Sequence, residues 1–436
     1  MTPAAPPPRP RSATSAATRA WITEAALPLW STAGYDAAQG AFIEALGLDG
    51  HPLPHLPRRL MVQARQVAVF ADAALRGDFP AGAGIARAAG QAMIDRYLGA
   101  DGAPGWVFSV TPDGRVADAT RDLYAHAFAL FGLASLRRLG PSGAADAAIA
   151  KTLGVLDGAF HDPAHGGYWD SLPRTDRLRR QNPHMHLFEA LLALHAATGE
   201  RAFLERCAAL DALARRSFLN SGGALVEDFA DDWSIAPAPG AGRLEAGHQF
   251  EWAWLFRQYE TASGENRDDV VAALLASALR SGVDPRTGRI CDAAREDGTI
   301  LKASSRAWPH AEALKALAGE RARGWALAPL AGLDPQVVER IAERLLTLYC
   351  PPALAGAGVA VLAPLAAKST KRAVTRLGGT AAAERSLAGF AGISDLDFSC
   401  SSFSLAFGTA LLSGGALIMS WFPPEADQAS CSCFNN

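Results

Sequence analysis

Charge of one sign is missing from this chain: 41 Lys and Arg stand against 44 Asp and Glu, a net of −3. Nucleic-acid binding needs concentrated positive charge, and none is gathered here. Cysteine is sparse. The six residues (207, 291, 350, 400, 431 and 433) show no paired metal-ligand spacing, and Cys431 and Cys433 have nothing nearby to complete a zinc set. Such usage suits a reducing compartment, and the expected location is cytoplasmic. No apolar run opens the chain. MTPAAPPPRPRSATSA lacks the core of a secretory signal, and its prolines spoil the amphipathic helix of a transit peptide. Residues 1–17 read as a disordered, Pro-rich lead-in. A Gly-rich dinucleotide fingerprint is absent too, so no nicotinamide is expected.

What is present is a repeat. Five segments share one plan: GAFIEALGLDG (40–50), GWVFSVTPDG (105–114), GGYWDSLPRTD (166–176), GGALVEDFADD (222–232) and GRICDAAREDG (288–298). Each opens at Gly, alternates apolar and polar residues and closes on turn residues, which is short-strand chemistry. Their anchors Phe42, Trp106, Tyr168, Leu225 and Ile290 lie 64, 62, 57 and 65 residues apart. Helical patterns follow each segment: 58–75, 122–139, 182–197, 245–262 and 306–320. These are apolar around most of their circumference, as a buried inner ring requires. The intervening helices, such as AFLERCAALDALARRS (202–217), are more amphipathic and suit an outer ring. The repeat therefore predicts an all-α closed toroid of helical hairpins over residues 18–350, with inner-helix N-termini and strand-turn segments on one face. An open solenoid, binding protein along a groove, is the alternative.

Polar residues on the inner helices are the candidates for chemistry. His248 and Glu251 stand three apart in GHQFEW, and His186 and Glu189 repeat that spacing in NPHMHLFE. A carboxylate beside an imidazole fixes its tautomer and raises its basicity. The bland reading is a pair of satisfied core histidines; the doubling amid aromatics favours function. His184, two residues from His186, points elsewhere on the helix. Arg65 sits in an apolar helix and must reach a partner, a polar cavity or the surface. Tyr124 and His126 in DLYAHAF could line a pocket or simply cap and pack. Trp308 and Glu312 in AWPHAE complete a set of aromatic faces and polar groups suited to a sugar.

QAR with its apolar run, DLYxHAF, NPHMHLFEA, GHQFEWAWL and RxWPxxEA, in this order, resemble the N-acylglucosamine 2-epimerase family from about residue 20 to about 320. GHQFEW and NPHMH are the most specific parts, and the wording is nearest to bacterial D-mannose isomerase-like members. The resemblance implies an (α/α)6 barrel that abstracts a proton beside a carbonyl. The ring opens, C2 loses its proton and a cis-enediolate forms; protonation at C1 gives a ketose, at C2 the epimer. It assigns His248 as acid/base with Glu251 beside it, and sugar contacts to Arg65, His186 and Trp308. Tyr124, Glu189 and Glu312 join the expected substrate-binding set. His310 stands where Gln is usual, which would retune the pocket rim. No cofactor and no metal are implied, because His and Arg can stabilise the oxyanion. The expected partner is a small-molecule sugar, with neither nucleic acid nor membrane, and the chain a monomer or homodimer.

The end of the chain departs from the family. There is no His after His310, where the sixth inner helix should bring a second catalytic one. Residues 351–436 hold ten charged side chains among 86, about 12% against 19% overall, and four of the six Cys fall at or after Cys350. A divergent sixth hairpin and a membrane tail (398–424 carry no charge) are two readings. A slip of the coding frame near residue 350 explains the missing His, the composition and the cysteines together and is the favoured one. Mannose–fructose interconversion on the free hexose is the expected activity. The rivals are 2-epimerisation of N-acylglucosamine or a disaccharide, glycoside hydrolysis through Glu251 and Glu312, and non-catalytic sugar binding.

Overall fold

The computed structural model describes residues 13–349 except 48, 49, 175, 237–241, 325 and 331. The expectations for residues 351–436 lie outside the described residues, as do those for 1–12. Helix α1 (Ala13–Trp21) begins inside the stretch read as a lead-in, and a wide turn at Ile22–Ala26 joins it to α2 (Leu27–Ser31).

From there the chain alternates. Inner helices are α3 (Leu60–Leu75), α5 (Leu123–Arg138), α7 (Gln181–Thr198), α9 (Ala246–Ser263) and α11 (Ala307–Ala322). Outer helices are α4 (Gly82–Tyr97), α6 (Gly143–Val155), α8 (Arg201–Leu213), α10 (Asp268–Gly282) and α12 (Gln336–Tyr349). Each inner helix packs against the next, from α3 to α11, and α12 touches both α11 and α1. The last described helix thus meets the first, so the outer ring comes full circle, as a toroid does and a solenoid does not.

Local chemistry sets the boundaries. Asp122 caps α5 by accepting the Ala125 N–H at 2.7 Å, and Ser142 caps α6 through the Ala145 N–H. Helices α7 and α9 stop where Gly199 and Gly264 turn left-handed, at φ of 76° and 78°. Inner helices are buried nearly all round, so α3 exposes little beyond its last turn.

The five repeated segments form short antiparallel ladders at the end where the inner helices begin. The residues just before one inner helix pair with the following segment: Arg58–Arg59 with Ser109–Val110, Arg121–Asp122 with Ser171–Leu172, and Arg179–Arg180 with Asp228–Phe229. Leu244 continues the series by bridging Ala294. A band of backbone hydrogen bonds therefore links successive hairpins around one rim.

A second device ties four of the five segments to their own inner helices through the helix's fourth residue. Gln63 exchanges two bonds with the Phe42 backbone, at 2.9 and 3.0 Å. His126, His184 and His310 each donate Nδ1–H to the carbonyl four residues back, of Asp122, Arg180 and Arg306. Each accepts at Nε2 from a segment anchor, the N–H of Trp106, Tyr168 and Ile290. Burial pushes the three imidazoles down to about 4, 3 and 4, so they stay neutral. His310 is fully buried in this role, which corrects its expected place at the pocket rim. The same observation decides His126 and His184 as parts of the fold.

Candidate active site

Five inner helices each bring a polar or aromatic side chain to one continuous chain of contacts inside the ring. Arg65 on α3 donates from Nη2 to the Tyr124 hydroxyl on α5 at 2.5 Å, its guanidinium 4.0 Å over the Phe128 ring. Arg65 does not snorkel; it is buried, and the ring faces and hydroxyl take its charge. Tyr124 meets His186 on α7 edge-on, with centroids 4.9 Å apart. His186 Nδ1 donates to Glu189 Oε2 at 3.0 Å and lies 3.8 Å from Glu251 on α9. On the same α9, His248 lies against the Trp308 ring of α11 at 4.8 Å and 35°. Gly247 makes that approach possible, since a Cβ there would fall 2.4 Å from the indole. The eight residues of the expected catalytic and substrate-binding set belong to this chain or adjoin it.

The pairing differs from expectation at His248. Its Nδ1 donates to Glu227 Oε2 at 2.9 Å, not to Glu251 three residues on. The difference goes with position: His248 is the third residue of α9, in the first turn beside the strand-turn segment, whereas His186 is the sixth residue of α7, about one turn further along. Glu227 is buried and also accepts Gln181 Nε2 at 2.8 Å, while Gln181 Oε1 accepts Trp252 Nε1 at 2.7 Å. This buried relay holds one tautomer of His248, with Nδ1–H committed and the lone pair on Nε2.

Electrostatics separate the two histidines. Burial pulls His248 down, but the charge and hydrogen bond of Glu227, with Glu245 beyond, leave it above its ordinary value. For His186 burial wins over Glu189 and brings it down to about 4. Burial, with Glu312 and Glu189 nearby, holds Glu251 well above the usual carboxylate range. One histidine is thus basic and the other a neutral donor–acceptor.

Sequence reasoning missed Glu227, Glu245, Arg306 and Lys315. Glu245 meets Arg306 Nη2 at 2.9 Å, and Arg306 also holds Asp292 at 2.8 Å. Lys315 Nζ is 2.5 Å from Glu312 Oε2, so Glu312 faces a fixed cation beneath the rings. A buried Lys inside an inner helix and an acid in the repeat segment just before the most distinctive motif were the available signals. Two triads, His186 with Glu189 and Glu251, and His248 with Glu227 and Glu245, bring ligand-type atoms within 4.8 Å of one another. In the second triad Glu245 already pairs with Arg306 at 2.9 Å. Among the described residues no helix is long and apolar enough to cross a membrane.

Comparison with known proteins agrees with this architecture. A mannose-6-phosphate isomerase of Rhizobium meliloti is 35% identical over 307 residues, spanning 68% of this chain and 77% of the relative. A D-mannose isomerase of Thermobifida fusca is 30% identical over 335 residues, spanning 70% and 78%. In fold, a cellobiose 2-epimerase of Bacillus thermoamylovorans superposes with a TM-score of 0.69 at 18% identity, over 77% of this chain and 87% of its own. A crystal structure of a D-mannose isomerase gives 0.66 at 22%, with the same coverage. The model of the N-acylglucosamine 2-epimerase family matches residues 40–331, and with the toroid and its paired histidines the chain belongs to that family of sugar isomerases and epimerases.

Proposed function

We propose that this isomerase interconverts mannose and fructose as free hexoses, with His248 as the base at C2. The observation that carries the reading is the His248–Glu227 dyad lying against Trp308, with a second His–Glu dyad on the adjoining helix. In the open-chain aldose His248 Nε2 takes the C2 proton, and the electron pair forms the C1–C2 double bond of a cis-enediolate. The Glu227 carboxylate stabilises the imidazolium so formed. The Arg65 guanidinium and Tyr124 hydroxyl supply donors for the oxyanion growing on O1. Return of the proton to C1, with the O2 proton passing to O1, completes the ketose. Trp308 offers an aromatic face to the C–H side of the sugar.

A free hexose is favoured over its phosphate because the arginines at the inner-helix entrances already face carboxylates. Arg59 pairs with Glu44, Arg180 with Asp170 and Asp176, and Arg306 with Asp292 and Glu245. Glycoside hydrolysis is disfavoured because Glu312, one of its two required acids, is bound to Lys315. Product analysis tests the reading. Mannose, mannose 6-phosphate, N-acetylglucosamine, cellobiose and an aryl mannoside are incubated in D2O and followed by NMR. Fructose carrying deuterium at C1, with deuterium entering C2 of the remaining aldose, is the expected outcome. Turnover of only the phosphate, only a 2-epimer, or only the glycoside would overturn it.

A further inference from the structure

The sixth residues of the five inner helices fall at one level of the ring: Arg65 of α3, Phe128 of α5, His186 of α7, Glu251 of α9 and Glu312 of α11. Helices that start on one rim and rise about 1.5 Å per residue set equal positions side by side. Neighbours in the layer meet in turn. The Arg65 guanidinium lies 4.0 Å over Phe128, the Phe128 and His186 rings are 4.5 Å apart, and His186 Nδ1 is 3.8 Å from Glu251 Oε1. Glu189, about one turn further along α7, brings Oε2 to 3.0 Å from the same Nδ1. One imidazole nitrogen and two carboxylate oxygens, from two helices, thus lie within 4.8 Å of one another.

This cluster lacks counter-ions. Arg65 donates to the Tyr124 hydroxyl, and Lys315 pairs with Glu312. Among the described residues no Lys or Arg nitrogen stands within ion-pair distance of Glu189 or Glu251. Glu251 also receives no hydrogen bond from those residues, although it is only 5% exposed. A buried carboxylate without a donor is costly, and a proton or a cation relieves it. The triad of His248 differs, because Glu245 there already holds Arg306.

We propose that His186, Glu189 and Glu251 form a site for a divalent transition ion of the Zn2+ or Co2+ class, which keeps the sugar out while it is bound. Zn2+ takes N and O donors at about 2.0–2.2 Å, and a tetrahedron of that size has edges of about 3.3–3.6 Å. The observed separations of 3.0 and 3.8 Å bracket that edge. An imidazole among carboxylates selects such ions over Mg2+ and Ca2+, which prefer oxygen alone. On binding, the single ring proton of neutral His186 moves to Nε2 through solvent and Nδ1 gives its lone pair to the ion. Any proton on the carboxylates passes to water, which also completes the coordination. Exclusion of the sugar rests on the isomerase reading above, in which the substrate spans His248 and Arg65.

The test titrates the full chain, freed of metal with EDTA, with Co2+ at pH 7.5. One ion per chain is expected, with X-ray absorption showing one imidazole among oxygen donors. His186→Gln and Glu251→Gln should each weaken binding by more than the roughly 10–100-fold that outer partners of a metal site carry. His248→Gln should bind as the parent does. Zn2+ should displace Co2+ and stop mannose turnover, and excess mannose should restore it. Absence of binding at millimolar Co2+ would overturn the proposal, as would sulfur among the ligands, which places the ion on cysteine. So would folded His186→Gln and Glu251→Gln that bind as tightly as the parent, or inhibition that mannose does not relieve. Should both variants fail to fold, Glu189→Gln carries the same expectation and the same refutation. Binding is read without turnover. A chain that holds Co2+ at His186 and converts no sugar refutes the isomerase reading and leaves the metal site standing, whereas one that converts mannose and binds no Co2+ does the reverse.

Discussion

Replacing Glu227 by Gln separates the observed pairing of His248 from the one its helix spacing suggests. The substitution keeps the volume and removes a charge. In the native site Glu227 Oε2 takes the Nδ1–H of His248 at 2.9 Å in a buried setting, and Glu227 is the main group that raises the imidazole's pKa. A charge-assisted hydrogen bond of this kind contributes about 1.5–3 kcal/mol, equivalent to roughly one to two pH units on the imidazole. The glutamine amide can also donate to Nδ1, which would move the ring proton to Nε2 and remove the lone pair that meets C2. Loss of a positioned general base costs about 10²–10⁴ in rate, or roughly 3–5 kcal/mol of barrier. The assay is C2 proton exchange on mannose in D2O between pH 5 and 9, beside fructose formation. Glu227→Gln should lose at least a hundredfold at pH 7, and the acid limb of kcat/KM should shift down by one to two units. Glu251→Gln should leave that limb in place, because Glu251 lies by His186 instead. If Glu227→Gln stays within threefold of the parent with the same limb, or if Glu251→Gln moves it, the assignment of the dyad fails.

His310→Ala should lower unfolding free energy in urea by about 1–3 kcal/mol, the cost of leaving the buried Ile290 N–H without its acceptor. KM for mannose should not change, in contrast to a residue at the rim. His126, His184, His186 and His310 are all held below the ordinary histidine value, so the unfolded chain binds more protons than the folded one as pH falls from about 6.5 toward 4. Their stabilising contribution is full above pH 6.5 and is lost through that window at about 1.4 kcal/mol per pH unit for each titrating ring; denaturant midpoints measured across it should fall steeply, and a flat profile would refute the buried neutral state. Dialysis against EDTA should leave turnover unchanged, whereas activity abolished by chelation and restored by one equivalent of metal would replace the two-histidine account with a metal-assisted one. For the C-terminal stretch, the proposal that the frame slips near residue 350 predicts that this 436-residue chain turns mannose over far below about 10 s⁻¹. A version translated in the alternative frame should regain a His-bearing segment and an ordinary rate, and normal turnover by the present chain would dismiss both the slip and the need for that His.

The repeat is a property of the sequence alone. Segments anchored at Phe42, Trp106, Tyr168, Leu225 and Ile290 recur at intervals of 57–65 residues, and helices apolar all round can only be an inner ring. Burial periodicity is local, so the toroid, the inner helices and the buried inner-helix positions of Arg65, His186 and His248 could be read directly. Partnership is not local. His186 and His248 carry the same i,i+3 glutamate, yet one bonds to it and the other reaches a strand-turn segment 21 residues upstream. That choice depends on where the ladder before α9 places Glu227. Likewise His310 and His248 look alike as histidines near helix starts. One residue of difference along the helix turns His310 onto a backbone N–H and His248 onto the Trp308 face. A helix advances about 100° per residue, so a single position changes which wall a side chain meets, and only the packed ring decides what stands on that wall.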